Sequence, residues 1–152
     1  MQDGKVDEID LKILGRLRYN AKYTLTALSK EIGLPVSTIR YRIKKLEENE
    51  IIKGYVPLID RLNLGYKVSI VMEIDAIPKY MDKVVNEISQ FPSIVRVYGM
   101  DSGPRLHVHA VFKEEEEAYS FISNRLYNIK GINSVDTSKI IRRYKIDPSI
   151  LL

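Results

Sequence analysis

Six basic residues crowd the stretch from Lys22 to Leu46: Lys22, Lys30, Arg40, Arg42, Lys44 and Lys45, against one acid, Glu31. The whole chain carries +4, so a window of +5 leaves the remainder close to neutral. A basic segment inside a folded domain is the footprint of phosphate binding; a solvated basic helix face is the plainer reading of charge alone. Within the window, Ser37, Thr38, Arg40 and Tyr41 are the short or forked hydrogen-bonders that base edges accept, while Arg42, Lys44 and Lys45 are better suited to phosphates. A second pair of chemically able residues, His107 and His109, sits at i, i+2. On a strand both project from one face, a spacing that could hold two metal ligands. No cysteine exists and no third ligand stands at a matching spacing, with Asp101 the only nearby carboxylate on the N-terminal side. The pair therefore reads as polar or interfacial, and no metal is expected. No glycine-rich phosphate loop, nucleophile elbow or paired acid–base motif is present, so no catalytic residue is assigned.

The elements that must position the basic cluster can be read from apolar spacing. Val6 to Tyr19 places Ile9, Ile13, Leu14 and Leu17 on one helical face, with Asp7 and Glu8 at the positive end of the dipole. Thr24 is a suitable N-cap for a second helix ending at Gly33, with Leu25, Leu28 and Ile32 inward. Ser37 is the N-cap expected for a third helix, whose stripe of Ile39, Ile43 and Leu46 leaves its other faces free. Two short helices joined by so tight a turn must cross steeply, and with the first they form a helix-turn-helix unit. Ile51 to Val56 reads as a strand or turn forming a small wing. Pro57 and the stretch from Asp60 to Gly65 mark a linker, dividing the chain into residues 1–60 and 61–152.

The second half alternates differently. Strands are expected over Tyr66–Ala76, Ile94–Met100, Leu106–Phe112 and Val135–Ile146, and helices from Pro78 to Phe91 and from Lys113 to Lys130. Glu114 to Glu117 is a dipole-matched first turn of the latter. Asp101-Ser102-Gly103-Pro104 is a hairpin turn. The order βαββαβ gives a four-stranded antiparallel sheet with both helices on one face, a ferredoxin-like sandwich. The fold class is α+β: a winged helix-turn-helix followed by this sandwich. The uncovered sheet face, with Val71, Val95 or Val97, Val111 and Ile141, reads as a subunit interface.

Composition narrows the field. The chain has 152 residues, 45% apolar and 29% charged, enough to bury a core. Zero cysteines exclude a disulfide scaffold and a thiolate site and fit a cytoplasmic protein. No apolar run approaches the ~18 residues of a membrane span, and the polar, acidic start resembles neither a secretory signal nor a transit peptide.

Three stretches, Asp7-Glu8-Ile9-Asp10-Leu11-Lys12-Ile13-Leu14, Leu28-Ser29-Lys30-Glu31-Ile32-Gly33-Leu34, and Arg42-Ile43-Lys44-Lys45-Leu46-Glu47 followed by Ile51-Ile52-Lys53-Gly54-Tyr55, together resemble the Lrp/AsnC (feast/famine) transcription regulators. The likeness runs through the second half, which is similar to that family's effector-sensing and oligomerisation domain. It implies double-stranded operator DNA as partner, a homodimer assembled further, often to an octamer, an amino-acid effector, no cofactor and no membrane. The family's glycine–aspartate pair in the turn between the second and third sheet strands has no clear match. Arg105 stands about where the aspartate would fall, and Gly99 and Gly103 compete for the glycine. The residues this places near an effector are Met100, Asp101, Ser102, Gly103 and Arg105, with the Arg105 fork suited to a carboxylate. The competing reading is a metabolite-binding regulatory subunit of an amino-acid enzyme, its basic helices docking a protein.

Overall fold

The computed structural model describes residues 6–145, which divide into two compact units meeting between Leu58 and Ile59. The first unit is three helices: α1 (Glu8–Leu17), α2 (Leu25–Ile32) and α3 (Val36–Glu48). Ile13, Leu28, Ile39 and Leu46, one or two from each helix, are buried together as its core. Each start and stop has a local cause. Asp7 caps α1, its Oδ1 accepting the Ile9 and Asp10 amides at 2.9 Å, while Asp10 accepts the Asp7 amide in return. Thr24 caps α2 through the Ala27 amide, and Gly33 ends it at φ +77°, a conformation glycine adopts without Cβ strain.

α3 begins earlier than its sequence suggests. The amides of Gly33 and Leu34 both return to the Ser29 carbonyl, so the turn closes at once and Pro35 stands at the cap position. Ser37 is therefore inside the first turn and caps nothing. At the other end, the Ile51 and Ile52 amides fold back onto the Leu46 carbonyl with Glu50 at φ +57°. The wing segment, expected as a strand or turn, holds a bend at 51–52 and then no regular structure: residues 51–60 carry no strand among the described residues. The segment is tied to α3 by Tyr55, whose hydroxyl donates to Glu47 Oε1 at 2.8 Å. Burial, then this bond, pushes the Tyr55 phenol up to about 12.

The second unit holds β1 (Val68–Ala76), α4 (Met81–Ile88, entered through a 3-10 turn at Pro78–Tyr80), β2 (Ile94–Gly99), β3 (Arg105–Phe112), α5 (Glu115–Asn124) and β4 (Ile132–Lys139). The strands are antiparallel in the order β2-β3-β1-β4. Ile70, Met72, Ile74, Leu106, Val108 and Phe112 line one face and pack on Val84 and Ile88 of α4 and Ala118 and Phe121 of α5. The last helix is shorter than apolar spacing suggests: the backbone breaks at Arg125 and continues as a 3-10 turn, Leu126–Asn128, that still buries Leu126. β4 accordingly starts at Ile132, three residues before the expected Val135, and stops at Lys139, where its partner β1 has only two residues left. Residues from 146 onward, including the expected end of this strand, lie outside the described residues.

The uncovered face differs from expectation. Val97 packs into the core, Val95 sits exposed at a register shift in β2, and Ile141 lies beyond β4. What the register brings to that face is mostly polar: Arg96 and Tyr98 of β2, Arg105, His107 and His109 of β3, Glu73 and Asp75 of β1, and Asp136 of β4, with Val71 and Val111 between them.

Candidate nucleic-acid interface

The third helix commits Ile39 and Leu46 fully to the core and half-buries Ile43. On the opposite side, Ser37, Arg40, Tyr41 and Lys44 follow one another at i, i+3, i+4 and i+7, which stacks them along a single face. All four are exposed, Tyr41 to 65%, and they line a shallow concavity with Val36. Lys45 is exposed beside them and Thr38 is half-buried. Lys44 pairs with Glu48 one turn on at 3.4 Å, an exposed pair that a phosphate can displace at little cost. The face thus offers a hydroxyl, a guanidinium, a phenol and an ammonium in one row, on a rod that fits a major groove.

Arg42 does not belong to that row. Its Nη1 lies 2.7 Å from Asp7 Oδ2 and 2.9 Å from Asp10 Oδ1, so it bonds α3 to the capped start of α1. The hydrogen bonds to Asp7 and then Asp10 push the guanidinium up, and the Asp10 amide followed by Arg42 holds the Asp7 carboxyl below its ordinary value. Sequence spacing marked Arg42 for phosphates because Asp7 and Asp10 lie over thirty residues away.

The turn between β2 and β3 exposes Met100, Asp101, Ser102 and Gly103, with the Met100 amide reaching the Arg105 carbonyl at 3.0 Å. Arg105 is exposed at its end but not free. Its Nε is 2.7 Å from Asp75 Oδ1 and its Nη2 3.3 Å from Oδ2, and Ser134 Oγ donates to the same carboxylate at 3.0 Å. The Arg105 bond and then the Ser134 bond hold Asp75 below the carboxylate range. Cation and carboxylate are adjacent at this edge, a feature the sequence did not reveal because Asp75 reaches Arg105 only through strand register.

No helix among the described residues is long and apolar enough to cross a membrane. Two family models match the chain: winged helix-turn-helix DNA-binding over residues 6–53, and the Lrp/AsnC ligand binding domain over residues 69–150. The chain is 28% identical to the HTH-type transcriptional regulator Ptr1 of Methanocaldococcus jannaschii over 140 residues, 92% of this chain and 95% of that one. It is 30% identical to the HTH-type transcriptional regulator LrpA of Pyrococcus abyssi, over 92% and 99% of the two chains. A transcriptional regulator of Neisseria meningitidis, solved as a complex with L-methionine, superposes with a TM-score of 0.90 at 19% identity, covering 95% of this chain and 96% of that one. At that identity the likeness is one of fold.

Proposed function

The chain belongs to the Lrp/AsnC family of DNA-binding transcription regulators, and we propose that it grips operator DNA with α3 in the major groove, reading bases through Ser37, Thr38, Arg40 and Tyr41 and holding phosphates through Lys44 and Lys45. The observation that carries this reading is the exposed row Ser37, Arg40, Tyr41, Lys44, back to back with the buried Ile39 and Leu46. Arg42 is assigned to the fold and not to the DNA. The protein acts by occupancy and not by catalysis, in the cytoplasm where its DNA lies.

Two recognition helices are needed to reach successive major grooves, so the acting species is at least a dimer, assembling further toward an octamer, with half-sites about 10–10.5 base pairs apart or a multiple. Support comes from the sheet face left bare by the helices and from large apolar side chains more than a third exposed, Tyr55, Val56 and Leu58 in the first unit and Ile59, Leu62 and Leu64 in the second. The effector is an amino acid. The Arg105–Asp75 pair beside the exposed 100–103 turn presents both signs of charge, as a zwitterion requires. The L-methionine bound by the Neisseria regulator is consistent with this class of ligand.

Selection of bound fragments from random duplex DNA tests the reading. A single enriched motif, with affinity falling steeply as salt rises, supports it, since each phosphate contact contributes about −0.9 to the log–log slope. Binding without sequence preference, or without salt dependence, points to a protein as the docking partner instead.

A further inference from the structure

His107 and His109 sit mid-strand on β3, half-buried, on the sheet face that the helices leave bare. Their Nε2 atoms are 2.9 Å apart although the ring centroids are 4.9 Å apart. Glu73 of β1, the cross-strand neighbour of His107, takes the other nitrogen of that ring, Nδ1, through Oε1. Tyr98 of β2 flanks both rings, its centroid 6.3 and 6.4 Å from theirs. The remaining charges around the pair come from every strand. Arg96 of β2 is the register partner of His109, and Asp136 of β4 stands beyond Glu73. Arg143, past the end of β4, donates to Ser69 Oγ on β1 at 2.7 Å. Asp75 and Arg105, bonded to each other, form the next pair along this face.

We propose that the His107–His109 pair makes the pairing of two copies through this face pH-dependent: neutral rings permit it, and a proton taken up at His109 opens it. The inference rests on the reading of the bare face as a subunit interface. A second copy suits the face because it carries both signs, Arg96, Arg105 and Arg143 with Glu73, Asp75 and Asp136. A two-fold contact can then set cations against carboxylates.

A contact of 2.9 Å between two ring nitrogens holds one hydrogen, so one ring donates and the other offers its lone pair. Glu73 keeps a proton on His107 Nδ1, which leaves the lone pair at His107 Nε2 and the hydrogen on His109 Nε2. The next proton goes to His109 Nδ1 and makes that ring a cation. Its surroundings oppose this. Burial first, then His107, Arg96 and Arg143, hold the His109 imidazole below its ordinary value of 6.5, with Glu73 pulling the other way. A second copy laid over the face takes further water from the ring, and burial is already the largest of these effects. The paired state therefore binds fewer protons than the single chain. Pairing is strongest above 6.5 and is lost as pH falls below that value. Operator binding by paired recognition helices weakens with it.

Sedimentation equilibrium of the full-length protein, from nanomolar to micromolar concentration between pH 8 and pH 5, tests the inference. Circular dichroism at each pH establishes that the chain is folded. The dissociation constant for pairing should be level at the alkaline end and rise below 6.5 by up to about 100-fold per pH unit, one proton for each of two chains. His109→Gln has no proton to take up and should stay paired, with a level profile. If that variant misfolds or does not pair at pH 8, dilution calorimetry of the unaltered protein at pH 6 decides. Run in two buffers of different ionisation heat, it should show one proton taken up per chain on separation. Val71→Asp and Val111→Asp, each adding a carboxylate to the bare face, test the underlying reading at pH 8. If both fold and leave the average mass unchanged, the face is not the interface, and that reading falls together with the inference. If either lowers the mass, the interface stands. The pH inference alone is then overturned by a dissociation constant equal at pH 8 and pH 5, by a full pH dependence retained in His109→Gln, or by no proton uptake on separation.

Discussion

Arg42 Nη1 lies 2.7 Å from Asp7 Oδ2, a bond that joins the middle of α3 to the residue capping α1 across thirty-five positions of chain. Asp7 thereby does two things with one carboxylate: Oδ1 satisfies the otherwise unpaired amides of Ile9 and Asp10, and Oδ2 meets a guanidinium only 24% exposed. The rotation of α3 about its axis, and so the direction in which Ser37, Arg40, Tyr41 and Lys44 face, is fixed partly by this clamp.

The first prediction separates the clamp from the reading face. Arg42→Ala should remove on the order of 1 kcal/mol of stability, a partly exposed charged pair being worth no more, and lower the melting temperature of the first unit by ~4–8 °C. Arg40→Ala should leave melting unchanged, cost ~1–3 kcal/mol at the specific operator and relax preference at one base pair. Lys45→Ala should weaken all sequences about equally and reduce the salt slope by about 1. Melting curves and binding isotherms at several salt concentrations check all three. An Arg42→Ala protein with unchanged melting and a reduced salt slope would return this residue to the DNA.

Acid stability follows from the same carboxylate. Asp7 and Asp75 both sit below their ordinary value of 3.8 in the folded protein, Asp7 chiefly through the Asp10 amide and Arg42, Asp75 chiefly through Arg105. The unfolded chain therefore binds more protons below that value, and stability rises with pH there. Both contributions are fully present above about 3.8 and are lost as pH falls through the lower folded values. Unfolding followed by circular dichroism from pH 6 down to 2 should show the loss setting in below pH 4. In Asp7→Asn the acid limb of the first unit should flatten, and an unaltered limb would count against the assignment.

The clearest parts of the sequence were those whose cause is local. Thr24, Gly33 and Pro78 punctuate the chain through their own backbone chemistry, and the stripes of Ile39 and Leu46 or Val84 and Ile88 name a buried face by spacing alone. The exposure of Ser37, Arg40, Tyr41 and Lys44 was legible for the same reason, their row being the complement of a stripe. Whatever depends on register was not. Val97 turns inward because β2 shifts register after Ile94, and Glu73 meets His107 only because β1 and β3 align those two positions. Arg42 was read as a phosphate contact and Arg105 as a fork suited to a carboxylate, and both have carboxylate partners thirty or more residues away. A charge is visible in a sequence; its neutralisation is not.

Gly131 is a further position at which one atom decides. It is buried at φ +110°, and a Cβ built there would stand 2.4 Å from Tyr80 Cβ, a contact that no rotamer change relieves. Its carbonyl accepts the Ile77 amide at 2.8 Å, so the backbone cannot simply back away. Gly131→Ala should cost ~1–3 kcal/mol for the conformation alone, and more for the overlap. Calorimetric melting should show a large drop, whereas Gly15→Ala, with open space around its Cβ, should leave stability unchanged or slightly raised. Equal melting of the two variants would mean that the Gly131 turn relaxes freely.

The effector prediction turns on Arg105 being already paired. An amino acid arriving at this edge must exchange partners, its carboxylate going to the Arg105 fork and its ammonium to Asp75, so two exposed bonds are traded for two of the same kind. Affinity must then come largely from the amino acid's side chain, which makes apolar amino acids such as methionine stronger ligands than glycine or alanine. Calorimetry against the twenty amino acids should show this ranking. Arg105→Ala and Asp75→Asn should each weaken the best ligand by roughly tenfold or more, each removing one end of the zwitterion's contact. By linkage, a ligand that changes operator affinity must itself bind with changed affinity when operator is present, and repeating the titration on the DNA complex measures that coupling. Heat that persists unchanged in both variants places the effector elsewhere on the chain. No heat with any amino acid leaves a regulator whose DNA binding is not governed by this class of ligand.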